Sequence, residues 1–220
     1  MSLKLDQKNW GDSKKVVARQ DTIIDQYRSV IGNKIPRGRQ YWTMCGQCSS
    51  PSGDLQEGCE LHHMLKERML TPGQFHGAEI VQEISRANVK ACPEANWYNR
   101  DIYLAMKRAK RKDNFKPSLV NLDFVSMADK SCGYFADVMN FLSSCKGKIM
   151  LVGNVMLKYQ RFPSRTRDIE FVMDKLNKDS GFQSAYQKAN WHFSQKYYPY
   201  EGTGKESRTT MGTLVFFKMK

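Results

Sequence analysis

The sequence predicts an α/β fold with a mostly parallel sheet, helices on both of its faces and an antiparallel hairpin at the C-terminal end. Short apolar runs alternate with helical patterns as far as residue 158, and this alternation is typical of parallel strands joined by helices. Two strand-like runs then close the chain without a helix between them. We therefore expect these two runs to pair as an antiparallel hairpin at one edge of the sheet.

Helices are predicted where apolar side chains recur at helical spacing. The first helical segment ends at Gly32-Asn33, a pair that favours a helix end. Turn-forming segments such as SSPSGD and TPGQ separate the later helices from the strands. The predicted helices cover residues 13–31, 58–70, 81–91, 102–112, 133–145 and 164–189, the last with a break near Ser180-Gly181.

Strands are predicted where short runs are rich in aromatic and β-branched residues. The run PSLVNLDFV is the most strand-like segment in the centre of the chain, and GKIMLVGNVMLKYQ forms a longer one at a Lys-Gly-Lys turn. The predicted strands cover residues 40–47, 75–80, 96–102, 117–125, 147–160, 191–200 and 209–219.

Length and composition indicate an ordinary globular protein. A chain of 220 residues is most economically one domain, here residues 38–220, preceded by a helix and lead-in over residues 1–37. No run of about 18 apolar residues occurs that would span a membrane, and the first residues lack the apolar segment of a secretion signal. Six cysteines without such a signal indicate reduced thiols, so we expect a cytoplasmic protein.

The charge balance favours a polyanionic partner. Lysine and arginine number 35 against 22 acidic residues, which gives a net charge of +13. Binding to phosphates releases their counterions, so we expect nucleic acid, RNA or DNA, as the partner. The alternative is a basic surface that only keeps the protein in solution. The predicted contacts include basic residues and interleaved tyrosines, namely Lys107, Arg108, Lys110, Arg111, Lys112, Arg161, Arg165, Arg167, Lys196, Tyr197, Tyr198, Tyr200, Lys205 and Arg208.

Two acids follow successive predicted strands. Glu79 ends the run FHGAE, and Asp101 follows the run NWYNR. Residues at the carboxyl ends of parallel strands face the ligand crevice of such a sheet, where one acid can accept both hydroxyls of a ribose. The alternative is that Glu79 and Asp101 cap the helices that follow them.

In its order of elements, residues 38–219 resemble the class I S-adenosylmethionine-dependent methyltransferases, which have a Rossmann-like sheet closed by an antiparallel hairpin. The resemblance implies that the loop CGQCSSPSG wraps the cofactor, that Glu79 holds the ribose and that Asp101 reaches the adenine. The family's loop is glycine-rich, whereas only Gly46 and Gly53 are present here. The implied residues that bind S-adenosyl-L-methionine are Cys45, Gly46, Glu79, Ile80, Asp101, Ile102 and Asn121.

The same resemblance implies catalytic residues for methyl transfer. Asp123 ends the fourth strand, and Lys158, at the end of the next one, is predicted to lie across from it. The pair resembles the middle of the Lys–Asp–Lys–Glu tetrad of ribose 2′-O methyltransferases. Its outer members would be Lys34 or Arg37 and Glu201 or Glu206. Because NLDF lacks the two prolines of the amino-methylating group, methylation of a base amine is less favoured.

A zinc site is the competing interpretation. Cys45, Cys48, Cys59 and His62 spell C-x2-C-x10-C-x2-H, and ligands paired in this way are typical of tetrahedral zinc. On this interpretation the protein is a basic nucleic-acid-binding protein with a structural zinc and no catalytic activity. Buried free thiols that pack as small apolar groups are the further alternative.

Overall fold

A computed structural model describes residues 13–158, 169–197 and 210–220. Within these ranges the chain forms helices α1 (Ser13–Val30), α2 (Glu60–Lys66), α3 (Gln82–Ala91), α4 (Ile102–Arg111), α5 (Ala128–Ser143), α6 (Ile169–Lys178) and α7 (Ser180–Lys188). The strands are β1 (Gln40–Met44), β2 (Phe75–Ala78), β3 (Asn96–Tyr98), β4 (Pro117–Met127), β5 (Ile149–Lys158), β6 (Trp191–Tyr197) and β7 (Thr210–Lys218).

The sheet confirms the predicted fold class. Its seven strands have the order β3-β2-β1-β4-β5-β7-β6, and the first five follow the order of a Rossmann sheet. Parallel pairing joins β2 to β3, β1 to β4 and β4 to β5. The predicted hairpin is confirmed as well, since β7 pairs antiparallel with both β5 and β6.

The strands before the candidate site are shorter than predicted, because polar side chains divert the backbone. β2 ends at Ala78, and the Glu79 carboxylate then accepts a hydrogen bond from Val81 N–H at 2.7 Å. β3 ends at Tyr98, after which the Asn99 amide donates to the carbonyl oxygens of Glu79 and Ile80 at 3.0 and 3.1 Å. Side-chain bonds of this kind turn a chain out of a strand ladder.

The C-terminal helical segment breaks close to the predicted position. α7 begins after Asp179, whose carboxylate accepts from Phe182 N–H at 2.8 Å, and the break therefore lies at a capping residue. α5 begins at Ala128, five residues earlier than the predicted 133. None of the helices in the described ranges has the length and apolar character needed to cross a membrane.

The chain divides into two compact units, the first made of residues 1–38 and 44–113. In it α1 packs on α2, and Ile23, Ile24 and Tyr27 of α1 are buried. A Cβ added at Gly77 would lie 2.6 Å from the Trp97 ring, so the β2–β3 pair needs glycine at this position. The predicted boundary at residue 37 stays a prediction.

The second unit is made of residues 39–43 and 114–220. Helices α5 and α7 cover one face of its strands, where the rings of Phe135 and Phe182 meet Phe216 of β7 at centroid distances of 5.4 and 5.8 Å. The Lys218 ammonium group, buried at the end of β7, donates to the carbonyl oxygens of Leu142 and Cys145 near the C-terminal end of α5. A cation is stabilised at that end by the helix dipole.

Candidate cofactor site

The carboxyl ends of β2 and β3 lie side by side in the first unit and position Glu79. Ala78 is the register partner of Tyr98, and Glu79 N–H still donates to Tyr98 C=O at 3.0 Å. The Glu79 side chain is half-buried, and burial raises the pKa of its carboxyl group. A carboxylate in such a partly dry position binds hydroxyl donors more strongly than an exposed one does.

Ile80 is the most exposed large apolar side chain among the described residues. It lies 74% exposed directly after Glu79, and the Asn99 amide holds the carbonyl groups of both residues. The segment is therefore fixed, and its apolar side chain faces water. A flat apolar ring placed against Ile80 would remove that surface from water, which is favourable.

Asp101 acts as the N-cap of α4. Its carboxylate accepts a hydrogen bond from Leu104 N–H at 3.1 Å, as the capping alternative predicted. Ile102, the next residue, is 1% exposed and belongs to the core. The contacts of Asp101 and Ile102 with a cofactor stay predictions.

The loop after β1 is folded on itself and attached to the end of β2. Cys45, which is buried, donates its N–H to Ala78 C=O at 3.0 Å. Further along, Cys48 C=O accepts from Gln56 N–H at 2.7 Å, and Ser50 C=O accepts from Gly53 N–H at 3.0 Å. The predicted cofactor loop therefore starts beside the strand end that carries Glu79, and partly exposed Gly46 lies within it.

The structure brings the three predicted cysteine ligands together, but the His62 ring does not join them. Cys45 Sγ lies 3.3 Å from Cys48 Sγ, but the His62 Nδ1 atom accepts from Gly58 N–H at 3.4 Å and Cys59 Sγ accepts from His62 N–H. Hydrogen bonding between the thiols and burial raise the pKa of both Cys48 and Cys59. Among the described residues, no three His, Cys, Asp or Glu side chains are arranged to hold a metal ion.

The carboxyl end of β4 belongs to the second unit and carries the other predicted residues. Asn121 is fully buried, and its Oδ1 accepts from Asn154 Nδ2 at 3.0 Å. Asp123 is half-buried and lies where the regular pairing of β4 with β5 is interrupted. The register partner of Asp123 is Asn154.

The structure corrects the predicted position of Lys158. Because Asn154 is the residue opposite Asp123, Lys158 lies four residues further along β5, or about 13 Å at the usual rise of a strand. Its own register partner is Thr210 of β7. The sequence does not show which residue of β5 lies opposite Asp123, so the predicted position of Lys158 was wrong. A catalytic role for Lys158 stays a prediction.

Other predicted residues are spread over both units or fall outside the described ranges. Lys34 and Arg37 are exposed in the first unit. Helix α4 places its basic side chains opposite a buried apolar face, and the Lys107 ammonium group lies 3.9 Å above the centre of the Tyr103 ring. The side chains of Lys196 and Tyr197 and all atoms of Arg161, Arg165, Arg167, Tyr198, Tyr200, Glu201, Lys205, Glu206 and Arg208 lie outside the described part.

Sequence reasoning missed three asparagines that shape these regions. Asn88 contacts the loop after β1, Asn99 holds the Glu79–Ile80 segment, and Asn154 bonds Asn121. A polar residue inside the apolar run of β5 was the one available signal, since a buried amide needs a partner. Asn88 and Asn99 follow no pattern that distinguishes them from surface asparagines.

Comparisons with known proteins give only distant similarities to solved structures. No protein-family model and no curated protein matches the sequence. Among solved structures, the plantazolicin methyltransferase BpumL in complex with SAH is similar at 11% identity, with 96% of this chain and 92% of that chain covered and a TM-score of 0.47. The CurJ carbon methyltransferase is similar at 9% identity, with 93% and 54% covered and a TM-score of 0.40.

A third structure, Thermoplasma acidophilum 1320, is similar at 10% identity, with 96% of this chain and 98% of that chain covered and a TM-score of 0.36. Likenesses at this level are too weak to transfer a function. The strand order and the antiparallel C-terminal pair of the chain itself define its class, a fold like that of the class I S-adenosylmethionine-dependent methyltransferases.

Proposed function

We propose that this protein is an S-adenosylmethionine-dependent methyltransferase that acts on nucleic acid at a ribose hydroxyl. The observation that carries the proposal is the pair Glu79 and Ile80 at the carboxyl end of β2. A half-buried carboxylate and an exposed apolar side chain lie next to each other there, on a segment fixed by Asn99. In an open α/β sheet, ligands bind at this edge.

The residues of the first unit fit the parts of the cofactor. Glu79 would accept hydrogen bonds from the ribose hydroxyls, and Ile80 would cover one face of the adenine. The loop that starts at Cys45 would hold the amino-acid end, since the hydrogen bond from Cys45 to Ala78 attaches it to the same strand end. Asp101 would contribute as an acid near the adenine while it caps α4.

When bound, the cofactor would supply an electrophilic methyl group; the acceptor oxygen would bond to the methyl carbon as the carbon–sulfur bond broke, with the electron pair of that bond staying on sulfur. The protein's main task is then to align the two reactants. Asp123 would take the proton of the acceptor hydroxyl as a general base. Its position at the interruption of the β4–β5 pairing leaves it half-buried rather than enclosed.

The basic face of α4 supports a nucleic-acid acceptor. Ile102, Ala105, Met106 and Ala109 turn one side of the helix into the core, so Arg108 and Arg111 lie exposed on the outside. Exposed guanidinium groups bind phosphates through paired hydrogen bonds. Together with the net charge of +13, this face supports a partner with a phosphate backbone.

Calorimetric titration with S-adenosylhomocysteine tests the cofactor assignment. We expect the parent protein to bind with micromolar affinity and Glu79→Ala to lose about tenfold or more, because a hydrogen-bonded charged group contributes about 1.5–3 kcal/mol. The matched control is Glu83→Ala, which removes an exposed acid from the first turn of α3. If the parent protein binds S-adenosylhomocysteine and Glu79→Ala binds it with the same affinity, the ligand does not lie at Glu79 and the site is assigned wrongly.

A non-catalytic nucleic-acid-binding protein is the second candidate. It is favoured by the hydrogen bonds that Glu79 and Asp101 make to backbone N–H groups at the starts of α3 and α4, because these bonds give both acids a purely structural use. This candidate predicts that the parent protein binds nucleic acid but shows no heat of binding with S-adenosylhomocysteine. Loss of the basic side chains would then abolish its one activity.

A further inference from the structure

Asn88 of α3 makes two hydrogen bonds to the backbone of the loop after β1. Its Nδ2 donates to Gly46 C=O at 2.9 Å, and its Oδ1 accepts from Cys48 N–H at 2.7 Å. The side chain is fully buried. A single amide therefore holds both ends of the segment Gly46–Cys48.

This contact has the properties of a specific clamp. A buried amide is costly unless it is satisfied, and both polar atoms of Asn88 are used on one short stretch of backbone. The backbone of Cys48 is held on its other side as well, since its C=O accepts from Gln56 N–H. In a glycine-rich loop, the glycines themselves permit a close-fitting backbone conformation. In Gly46–Cys48, the side chain of Asn88 fixes the backbone conformation instead.

Helix α3 links this clamp to the proposed ribose contact. The Glu79 carboxylate accepts from Val81 N–H at 2.7 Å, immediately before the first residue of α3, and Asn88 lies on the same helix two turns later. A displacement of α3 would therefore move Glu79 and the Gly46–Cys48 segment together. Both are parts of the candidate cofactor site in the first unit.

We propose that Asn88 is a positioning residue that fixes the Gly46–Cys48 backbone to receive the amino-acid end of the cofactor. The proposal rests on the methyltransferase function proposed above. Asn88 does not itself touch the ligand; it acts through the loop. The loop lacks the closely spaced glycines of the methyltransferase family. The two hydrogen bonds of Asn88 fix its backbone instead.

The test uses two ligands and two variants of the full chain. S-adenosylhomocysteine carries the amino-acid end, whereas adenosine lacks it and probes only the Glu79–Ile80 half of the site. Asn88→Leu removes both hydrogen bonds but keeps the number and branching of the side-chain heavy atoms, and Asn88→Asp keeps an acceptor for Cys48 N–H but cannot donate to Gly46 C=O. Hydrogen exchange of the Cys48 amide reports the state of the loop without any ligand.

We expect Asn88→Leu to weaken binding of S-adenosylhomocysteine by about tenfold or more, because two hydrogen bonds are lost, while adenosine affinity stays within about twofold. Exchange of the Cys48 amide should accelerate in Asn88→Leu and remain slow in Asn88→Asp. If Asn88→Leu fails to fold, Asn88→Asp still tests the proposal, since it should lose affinity for S-adenosylhomocysteine and keep that for adenosine.

Two controls separate positioning from general loss of stability. Ser85→Ala changes another buried polar residue of α3, and Ile24→Val removes a buried methyl group from α1; neither should alter the ratio of the two affinities. Equal losses for both ligands, or none, in the Asn88 variants would overturn the proposal while the cofactor site stands. A parent protein that binds neither ligand would overturn the methyltransferase function and this inference with it.

Discussion

Asn154 of β5 donates its side-chain amide to Oδ1 of Asn121 on β4 at 3.0 Å, in the buried interior of the sheet. Thr213 of β7 in turn donates to Oδ1 of Asn154 at 2.8 Å, and Asn121 Nδ2 lies 3.5 Å from Thr43 Oγ1 on β1. These four residues form a buried polar network across four adjacent strands. Because the members bond one another, removal of one takes a hydrogen bond from each of its neighbours in a buried environment.

The middle of the buried polar network should be its most sensitive point. Asn154→Leu removes the hydrogen bonds to both Asn121 and Thr213, and we expect a loss of about 2–4 kcal/mol in the free energy of unfolding. Thr213→Val removes one bond at the end of the network and should cost about 1 kcal/mol. Urea denaturation measures both losses. Equal losses in the two variants would show that the bond between Asn154 and Asn121 adds nothing to stability.

Two glycines of the second unit should respond in opposite directions to the same substitution. A Cβ added at Gly153 would lie 2.6 Å from the buried Phe135 ring, whereas a Cβ at Gly133 would meet nothing within 4 Å. We expect Gly153→Ala to destabilise by about 1–3 kcal/mol and Gly133→Ala, inside α5, to stabilise by about 1 kcal/mol. A urea midpoint that does not fall in Gly153→Ala would contradict the packing of Phe135 on β5.

Acid should destabilise the protein through His76. Burial lowers the pKa of His76 from 6.5 to about 4, while the unfolded chain takes up the proton near the ordinary value. Between these two values the unfolded state binds more protons, so stability is lost as the pH falls from about 6.5 to about 4, by about 3 kcal/mol. Above pH 6.5 this group should contribute no pH dependence.

His76→Gln is the variant that checks this assignment, since glutamine stays neutral at every pH. Urea denaturation at pH 4.5 and pH 7 should show a smaller loss on acidification in the variant than in the parent. The raised pKa of Glu79 acts in the opposite direction, because the folded state then holds the proton more firmly. That contribution is common to both proteins and cancels in the comparison. An unchanged pH dependence would contradict a neutral buried His76.

The order and type of the elements could be predicted because apolar spacing records which side chains are buried. The strand and helix patterns before residue 158 and the closing hairpin all correspond to elements of the structure. The ends of β2 and β3 could not be placed, because Glu79 and Asn99 end these strands through specific side-chain bonds. Pattern analysis does not show which backbone group a polar side chain will bind.

Residues of the candidate site could be predicted only where their position directly after a strand determines where they lie. Glu79 and Ile80 follow a strand, and the structure leaves them at its carboxyl end. Asp123 and Lys158 required the register between β4 and β5, which the sequence does not contain, and the register separates them. Asn88 required knowledge of which helix packs beside the loop after β1.

Ile80 should contribute to cofactor affinity and not to stability. Its side chain is 74% exposed, so Ile80→Ser should leave the free energy of unfolding within about 0.5 kcal/mol. Loss of an apolar contact with the adenine should weaken binding of S-adenosylhomocysteine by about tenfold. Leu104→Ser is the matched control, since Leu104 is 56% exposed on α4. An equal effect of both substitutions on the calorimetric affinity would show that Ile80 does not cover the ligand.

The exposed cations of α4 should carry binding to nucleic acid. Arg108 and Arg111 lie on the outer side of this helix, and the double substitution to glutamine should weaken binding of single-stranded RNA and reduce the slope of log K against log salt by up to about two. The control is the double substitution of Lys175 and Lys178, which removes the same charge from an exposed part of α6. Fluorescence anisotropy across a salt series measures both. If the two double variants show the same affinity and the same salt dependence, only the net charge attracts the nucleic acid, and α4 is not its binding surface.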